Sequence, residues 1–207
     1  MKVKEPRRGA ADHSRTRTAL LDAAQELMIE QGYGAVSSRR IGAKAGLNPA
    51  LVHYYFESMD GLFIELFRRN SQRSLDRLAR ALLSPQPLWG YWEASREISN
   101  NALVNEFIAL ANHRKSIRSE IASYSRKHRQ MELDVLSRVL KGYGVDQEQW
   151  PTVTIVLAIS AISQYIRVEE GFDLDTGHAE MVSVIERNIR ELEGDRLPND
   201  QALTGSG

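Results

Sequence analysis

Residues 37–56, SSRRIGAKAGLNPALVHYYF, hold the side chains whose types and spacing suit recognition of another molecule. Ser37 or Ser38 can cap a first short helix, because a serine hydroxyl accepts from an N–H that the helix start leaves unpaired. Ile41 and Ala45, four apart, share one face of that helix. Gly46 supplies the left-handed residue that ends it. Asn48 can cap a second, very short helix, with Pro49 at its first position, where no N–H is needed. Leu51 and Val52 are apolar, and the rest of its surface is Asn48, Ala50, His53 and Tyr54. This is the layout of a helix–turn–helix, whose second helix lies in the major groove of DNA. An ordinary helical corner shares the outline. The context favours nucleic acid: a basic amphipathic helix precedes the corner, and Tyr54-Tyr55-Phe56 closes it.

Bond-making chemistry finds no comparable support. The histidines, His13, His53, His113, His128 and His178, form no i, i+4 pair, and no metal-spaced His/Asp/Glu set, nucleophile elbow or glycine-rich phosphate loop is present. No cofactor, metal or enzymatic activity is expected. A helical-bundle carrier or enzyme with an incidental corner is the alternative reading.

The chain has 207 residues, enough to bury a core in one or two small domains. Net charge is zero, so the whole-molecule field does not announce nucleic acid, but Lys2, Lys4, Arg7, Arg8, Arg15 and Arg17 crowd the start. There is no cysteine, which fits a reducing cytosol, and no signal peptide, so a cytoplasmic location is expected. The longest apolar stretch, residues 153–159, falls short of the ~20 residues of a membrane helix.

Residues 1–14 read as a basic arm able to neutralise phosphates, or as a terminus of no consequence. Leu20, Ala24, Leu27 and Gln31 predict a helix over about 15–31, with Tyr33 packed under the corner beyond it. Ser58 caps the next helix, which runs to about 83, before Pro85 and Pro87. Further helices are expected over about 88–99, 102–112, 114–141, 150–170 and 176–192, with no strands. The long one presents Ile117, Ile121, Tyr124, His128, Met131 and Val135 inward. The segment 153–166 is apolar nearly all round and must be covered on more than one side. It and the last helix form either one subunit's core or half of a symmetric four-helix pairing.

Residues ~15 to 67 resemble the DNA-binding domain of tetracycline-repressor-type (TetR) regulators. The resemblance rests on Gly32-Tyr33, Ser37, Ile41, Ala45-Gly46, the run from Leu51 to Phe56, and Leu62-Phe63. It implies an all-α chain with an N-terminal three-helix helix–turn–helix domain (15–60), then a helical bundle for effector binding and dimerisation (61–193), and a flexible tail (194–207). It implies a regulator, most simply a repressor, released from a pseudo-palindromic operator by a small effector, and a homodimer formed through the last two helices. Its partners are double-stranded operator DNA and that effector, with no membrane.

Carried over residue by residue, the resemblance puts Ser37 and Ser38 on phosphate and Arg39 toward a base edge, where its fork suits guanine O6 and N7. Pro49, Ala50 and Leu51 face the major groove through apolar contact. His53, Tyr54 and Tyr55 touch the backbone, which sets register without reading sequence. Asn48 either contacts DNA or only caps the helix, and Lys44 is a further phosphate contact or a solvated face. The chain departs from the family pattern at His53, commonly Tyr, and at Met59, often a phosphate-binding Lys. The loss of that Lys should weaken non-specific affinity.

For the effector, Trp89, Trp92, Phe107, Leu110, Tyr124, His128, Tyr165 and Ile166 are candidate lining residues, each equally readable as core packing. His113, Arg114 and Arg118 cluster at a helix junction, to hold a polar group or to cap a helix and bridge to Glu120. The apolar, aromatic set suggests a hydrophobic or amphipathic effector.

Overall fold

The computed structural model describes residues 8–99 and 102–198, and among them there are nine α-helices and no strand. The helices are α1 (Arg8–Gln31), α2 (Ser38–Ala45), α3 (Ala50–Phe56), α4 (Met59–Leu82), α5 (Pro87–Ser99), α6 (Ala102–His113), α7 (Lys115–Gly142), α8 (Thr152–Glu170) and α9 (His178–Glu193). The all-α reading holds, and most boundaries fall within a residue or two of those expected. The exception is α1, which begins at Arg8 rather than near residue 15, so half of the expected arm is helical. Residues 1–7 lie outside the described residues.

The chain divides into two units: Met1–Asn70 with Ala102–Ile121, and Ser71–Asn101 with Ala122–Gly207. The first unit is built on an apolar core in which Leu20, Met28, Ile41, Val52, Leu62, Leu66, Leu110 and Ile117 are all but completely buried. Each such aliphatic side chain contributes about 1.5–3 kcal/mol on leaving water. Charged pairs surround this core. Arg69 reaches Asp22 at 2.7 Å and Gln25 at 2.8 Å, binding α4 to α1. Arg68 grips Glu120 of α7 with two hydrogen bonds. Arg114 and Ser116 both donate to Asp60, at the start of α4. Arg118 caps the end of α6 through the carbonyls of Ala111 and Asn112, while the expected bridge to Glu120 is replaced by Arg68. Tyr33 lies on the α6 side: its N–H donates to Glu106 at 2.7 Å, and its ring stacks on His113.

The second unit packs α5 against α8 and α9. Leu78, Leu82, Trp89, Trp92, Leu136, Leu140, Val156, Ile185 and Ile189 form its core. Glu193 stands at the N-terminus of α5, accepting from the N–H groups of Leu88 and Trp89 at 2.8 and 3.1 Å and from the Tyr143 hydroxyl at 3.0 Å. Burial beside that carboxylate pushes the Tyr143 hydroxyl up to about 12. The start of the expected tail is held, since Gln86 donates to the Asp195 carbonyl and accepts from the Leu197 N–H. Residues 199–207 lie outside the described residues.

Candidate nucleic-acid interface

The corner between α2 and α3 is set by local chemistry. The Ser37 hydroxyl accepts from the Arg40 N–H, capping α2. Gly46 has φ 65°, the left-handed value that ends α2 without the clash a side chain would bring. Asn48 Oδ1 accepts from the Ala50 N–H at 2.9 Å, so Asn48 caps α3. A Cβ on Gly42 would lie 2.8 Å from the Leu47 carbonyl oxygen and 2.9 Å from the Pro49 nitrogen, so only glycine permits this approach of α2 to the start of α3. Ile41, Val52 and Phe56 anchor the pair in the core. Ser58 then caps α4 by accepting from Gly61.

These anchors leave one face of the corner outward. Ser37, Arg39, Asn48, Ala50, His53 and Tyr54 are exposed, and Ser38, Pro49, Leu51 and Tyr55 half-buried. Tyr54, at 68% exposure, is among the most open large side chains of the unit. The basic residues divide sharply. Lys44 lies on α1, 3.1 Å from Glu26 and 3.0 Å from Glu30, and hydrogen bonds to those carboxylates, Glu30 first, raise its pKa. Arg40 donates to Gln31, and Arg17 is held by Glu65 with its guanidinium over the Phe56 ring. Arg39 has no ion-pair or hydrogen-bond partner among the described residues. An open guanidinium in the first turn of a helix, next to Ser37 and Ser38 in the chain, can bind phosphate and reach a base edge.

His13 was not expected at this face. Its ring meets Tyr55 edge-on at 4.5 Å and Tyr54 at 5.8 Å, and its Nε2 lies 3.5 Å from the Tyr54 hydroxyl. Residues 8–14 show no apolar periodicity, so neither the extra helical turns nor this contact had a signal in the sequence.

The effector candidates fall in both units. Phe107, Leu110 and His113 belong to the first unit, with Phe107 edge-on to Phe67 at 5.2 Å. Trp89, Trp92, Tyr124, His128 and Tyr165 belong to the second. Trp89 and Trp92 are buried, their indole N–H groups donating to the Gly194 carbonyl and to Glu186. Tyr165 is 63% exposed on α8, beside Glu169. Tyr124 and His128 do lie together, ring centroids 5.6 Å apart, and next to them stands Glu132 of α7, which sequence reasoning passed over. Its place four residues after His128 was the available signal.

This geometry is that of a helix–turn–helix. Residues 20–66 match the family model described as bacterial regulatory proteins, tetR family. The HTH-type transcriptional repressor BepR of Brucella suis biovar 1 (strain 1330) is 23% identical over 201 residues, covering 89% of this chain and 96% of BepR. The HTH-type transcriptional regulator BetI of Rhizobium meliloti (strain 1021) is 44% identical over 52 residues, 25% of this chain and 26% of BetI. Among solved structures, Salmonella enterica GusR shares the fold with a TM-score of 0.69 at 14% identity, over 94% of this chain and all of that one. The N-terminal part of the chain is thus similar to bacterial regulatory proteins of the tetR family, and the fold as a whole is similar to that of GusR.

Proposed function

We propose that this chain acts as a repressor in the cytoplasm: a homodimer that holds a pseudo-palindromic operator and leaves it when a small effector binds the second unit. The observation that carries the DNA reading is the outward face of α2 and α3, with Arg39 unpartnered while Lys44, Arg40 and Arg17 are engaged within the protein. In this reading Ser37, Ser38, His53, Tyr54 and Tyr55 hold phosphates, Arg39 reads a base edge, and Pro49, Ala50 and Leu51 meet the groove floor. Asn48 serves as a cap, and Lys44 stays with α1.

The dimer reading is supported by α8 and α9. Val153, Leu157, Tyr165 and Val168 on α8 and Met181 and Val184 on α9 are exposed, and α8 is the one helix among the described residues long and apolar enough to span a membrane. Such an uncovered apolar surface calls for a partner, and a second copy covers both helices at once in a two-fold pairing. The test is selection from random duplexes followed by stoichiometry on the enriched sequence. A pseudo-palindrome bound by two chains or a multiple of two is expected. An asymmetric site bound by one chain would contradict the proposal.

A further inference from the structure

The second unit buries polar groups where a helical bundle ordinarily keeps apolar ones. Glu132 of α7 is 3% exposed. Its Oε1 accepts from the Tyr91 hydroxyl of α5 at 3.0 Å. Its Oε2 lies 3.3 Å from His128 Nδ1 and 3.2 Å from Arg129 Nε, yet neither approach has hydrogen-bonding direction, and Oε2 and Arg129 Nε are both left without a hydrogen bond. The neighbourhood is equally polar. Ser95 of α5 and Ser160 of α8 stand near enough to the Tyr91 hydroxyl to oppose the rise in its pKa. Ser163, one turn beyond Ser160, is buried with its hydroxyl unpartnered. Tyr124 bonds Ser74 of α4 and feels the Glu132 charge. Positions 91 and 95, 124, 128 and 132, and 160 and 163 recur at helical spacing, so each helix turns one polar face to this layer.

A buried carboxylate oxygen without a donor is costly, and the cost persists only where something supplies the donor. A purely apolar ligand would leave Oε2 and the Ser163 hydroxyl unpaired, and a carboxylate ligand would meet Glu132 as a like charge. Burial raises the Tyr91 hydroxyl well above its ordinary range and the Tyr124 hydroxyl to about 12, so both rings are neutral and offer π faces to a cation. Arg129, misaligned and with a side chain 34% exposed, is able to turn toward solvent.

We propose that Glu132 anchors a binding site in the second unit for a small protonated amine, whose N–H groups complete the carboxylate and whose charge rests against Tyr91 and Tyr124, with Arg129 as the internal competitor for that carboxylate. The proposal rests on the effector reading above and makes that effector a cation.

Calorimetric titration of the full chain with n-hexylamine, against 1-hexanol and hexanoate, tests it. Saturable binding of hexylamine alone is expected. Glu132→Gln should weaken it roughly tenfold or more, and Arg129→Gln should tighten it severalfold. The Arg129 variant keeps the test decisive should Glu132→Gln not fold, because a merely structural ion pair would not tighten binding when broken. Equal binding of hexanol and hexylamine, unchanged affinity in folded Glu132→Gln, or no tightening in Arg129→Gln would overturn it. Anisotropy of a bound operator duplex separates the two readings. Amine binding that leaves DNA affinity unchanged upholds the site and removes its regulatory role. Release of DNA by another ligand without any amine binding removes the site and keeps the regulation.

Discussion

The two units place charge in opposite ways. In the first, the core is apolar and ion pairs form a shell around it: Arg69 with Asp22, Arg68 with Glu120, Arg114 with Asp60, Lys44 with Glu26 and Glu30. In the second, a carboxylate lies inside, among tyrosine and serine hydroxyls. An apolar core ringed by ion pairs suits the proposed reading head, which would present Arg39 and Tyr54 in fixed geometry. A polar interior with open hydrogen-bonding capacity suits the proposed ligand-responsive part.

The first unit is expected to be most sensitive at Gly42. Gly42→Val puts a branched side chain against the Leu47 carbonyl and the Pro49 backbone. Overpacking of this kind costs about 1–3 kcal/mol, and here the strain falls on the start of α3. Operator binding should be lost in a mobility-shift assay while circular dichroism keeps the helical signal of the second unit. Retained affinity would mean that the corner is softer than its close approach implies.

Leu157→Glu comes next. A charge on the exposed apolar face of α8 should convert a dimer to a monomer in sedimentation velocity and weaken operator binding, since each half-site would then bind alone. Unchanged mass would move the interface elsewhere. Arg39→Ala should cost about 1–3 kcal/mol on the operator and much less on scrambled duplex, as read by competition anisotropy. An equal loss on both would make Arg39 a phosphate contact rather than a base reader.

Much of the first unit was legible because its signals are local. Ser37, Gly46, Asn48 and Ser58 act within three residues of their own position, and the caps they form are those their types predict. The apolar stripe of α1 ends at Gly32 as periodicity requires. What was hidden is tertiary. The partners of Lys44 lie 14 and 18 residues away on another helix, so its spacing could not tell a phosphate contact from an internal ion pair. Helical spacing placed Tyr124 and His128 on an inward face, but a glutamate on the same stripe looks like a solvated position until α5 brings Tyr91 against it. The division of the aromatic candidates between two units is likewise a property of packing, not of pattern.

Two smaller effects sharpen the contrast. Glu193→Ala removes the acceptor that caps α5 and should cost about 0.5–2 kcal/mol, seen as a thermal midpoint several degrees lower with DNA affinity intact. Asp60 tests the outer shell of the first unit. Its carboxyl is held below the usual range by the Ser116 hydroxyl and by Arg114, against opposing desolvation. A depressed folded pKa contributes stability that is present above the unfolded carboxylate pKa and is lost as pH falls through the lower folded value. The difference in midpoint between Asp60→Asn and the parent should therefore be modest and constant near neutrality, and should close under acid below the ordinary carboxylate range. A difference that persists there would assign the effect to packing.

The proposed DNA recognition rests on the exposed face of α2 and α3. Its most direct test is a fluorescence-anisotropy titration of the full chain against its enriched duplex at two salt concentrations, with scrambled duplex as competitor, for the parent and for Arg39→Ala, Tyr54→Ala. Competitor-resistant binding that falls with salt and is lost in the double variant is the predicted result. Equal affinity for both duplexes, or an undiminished double variant, would contradict it.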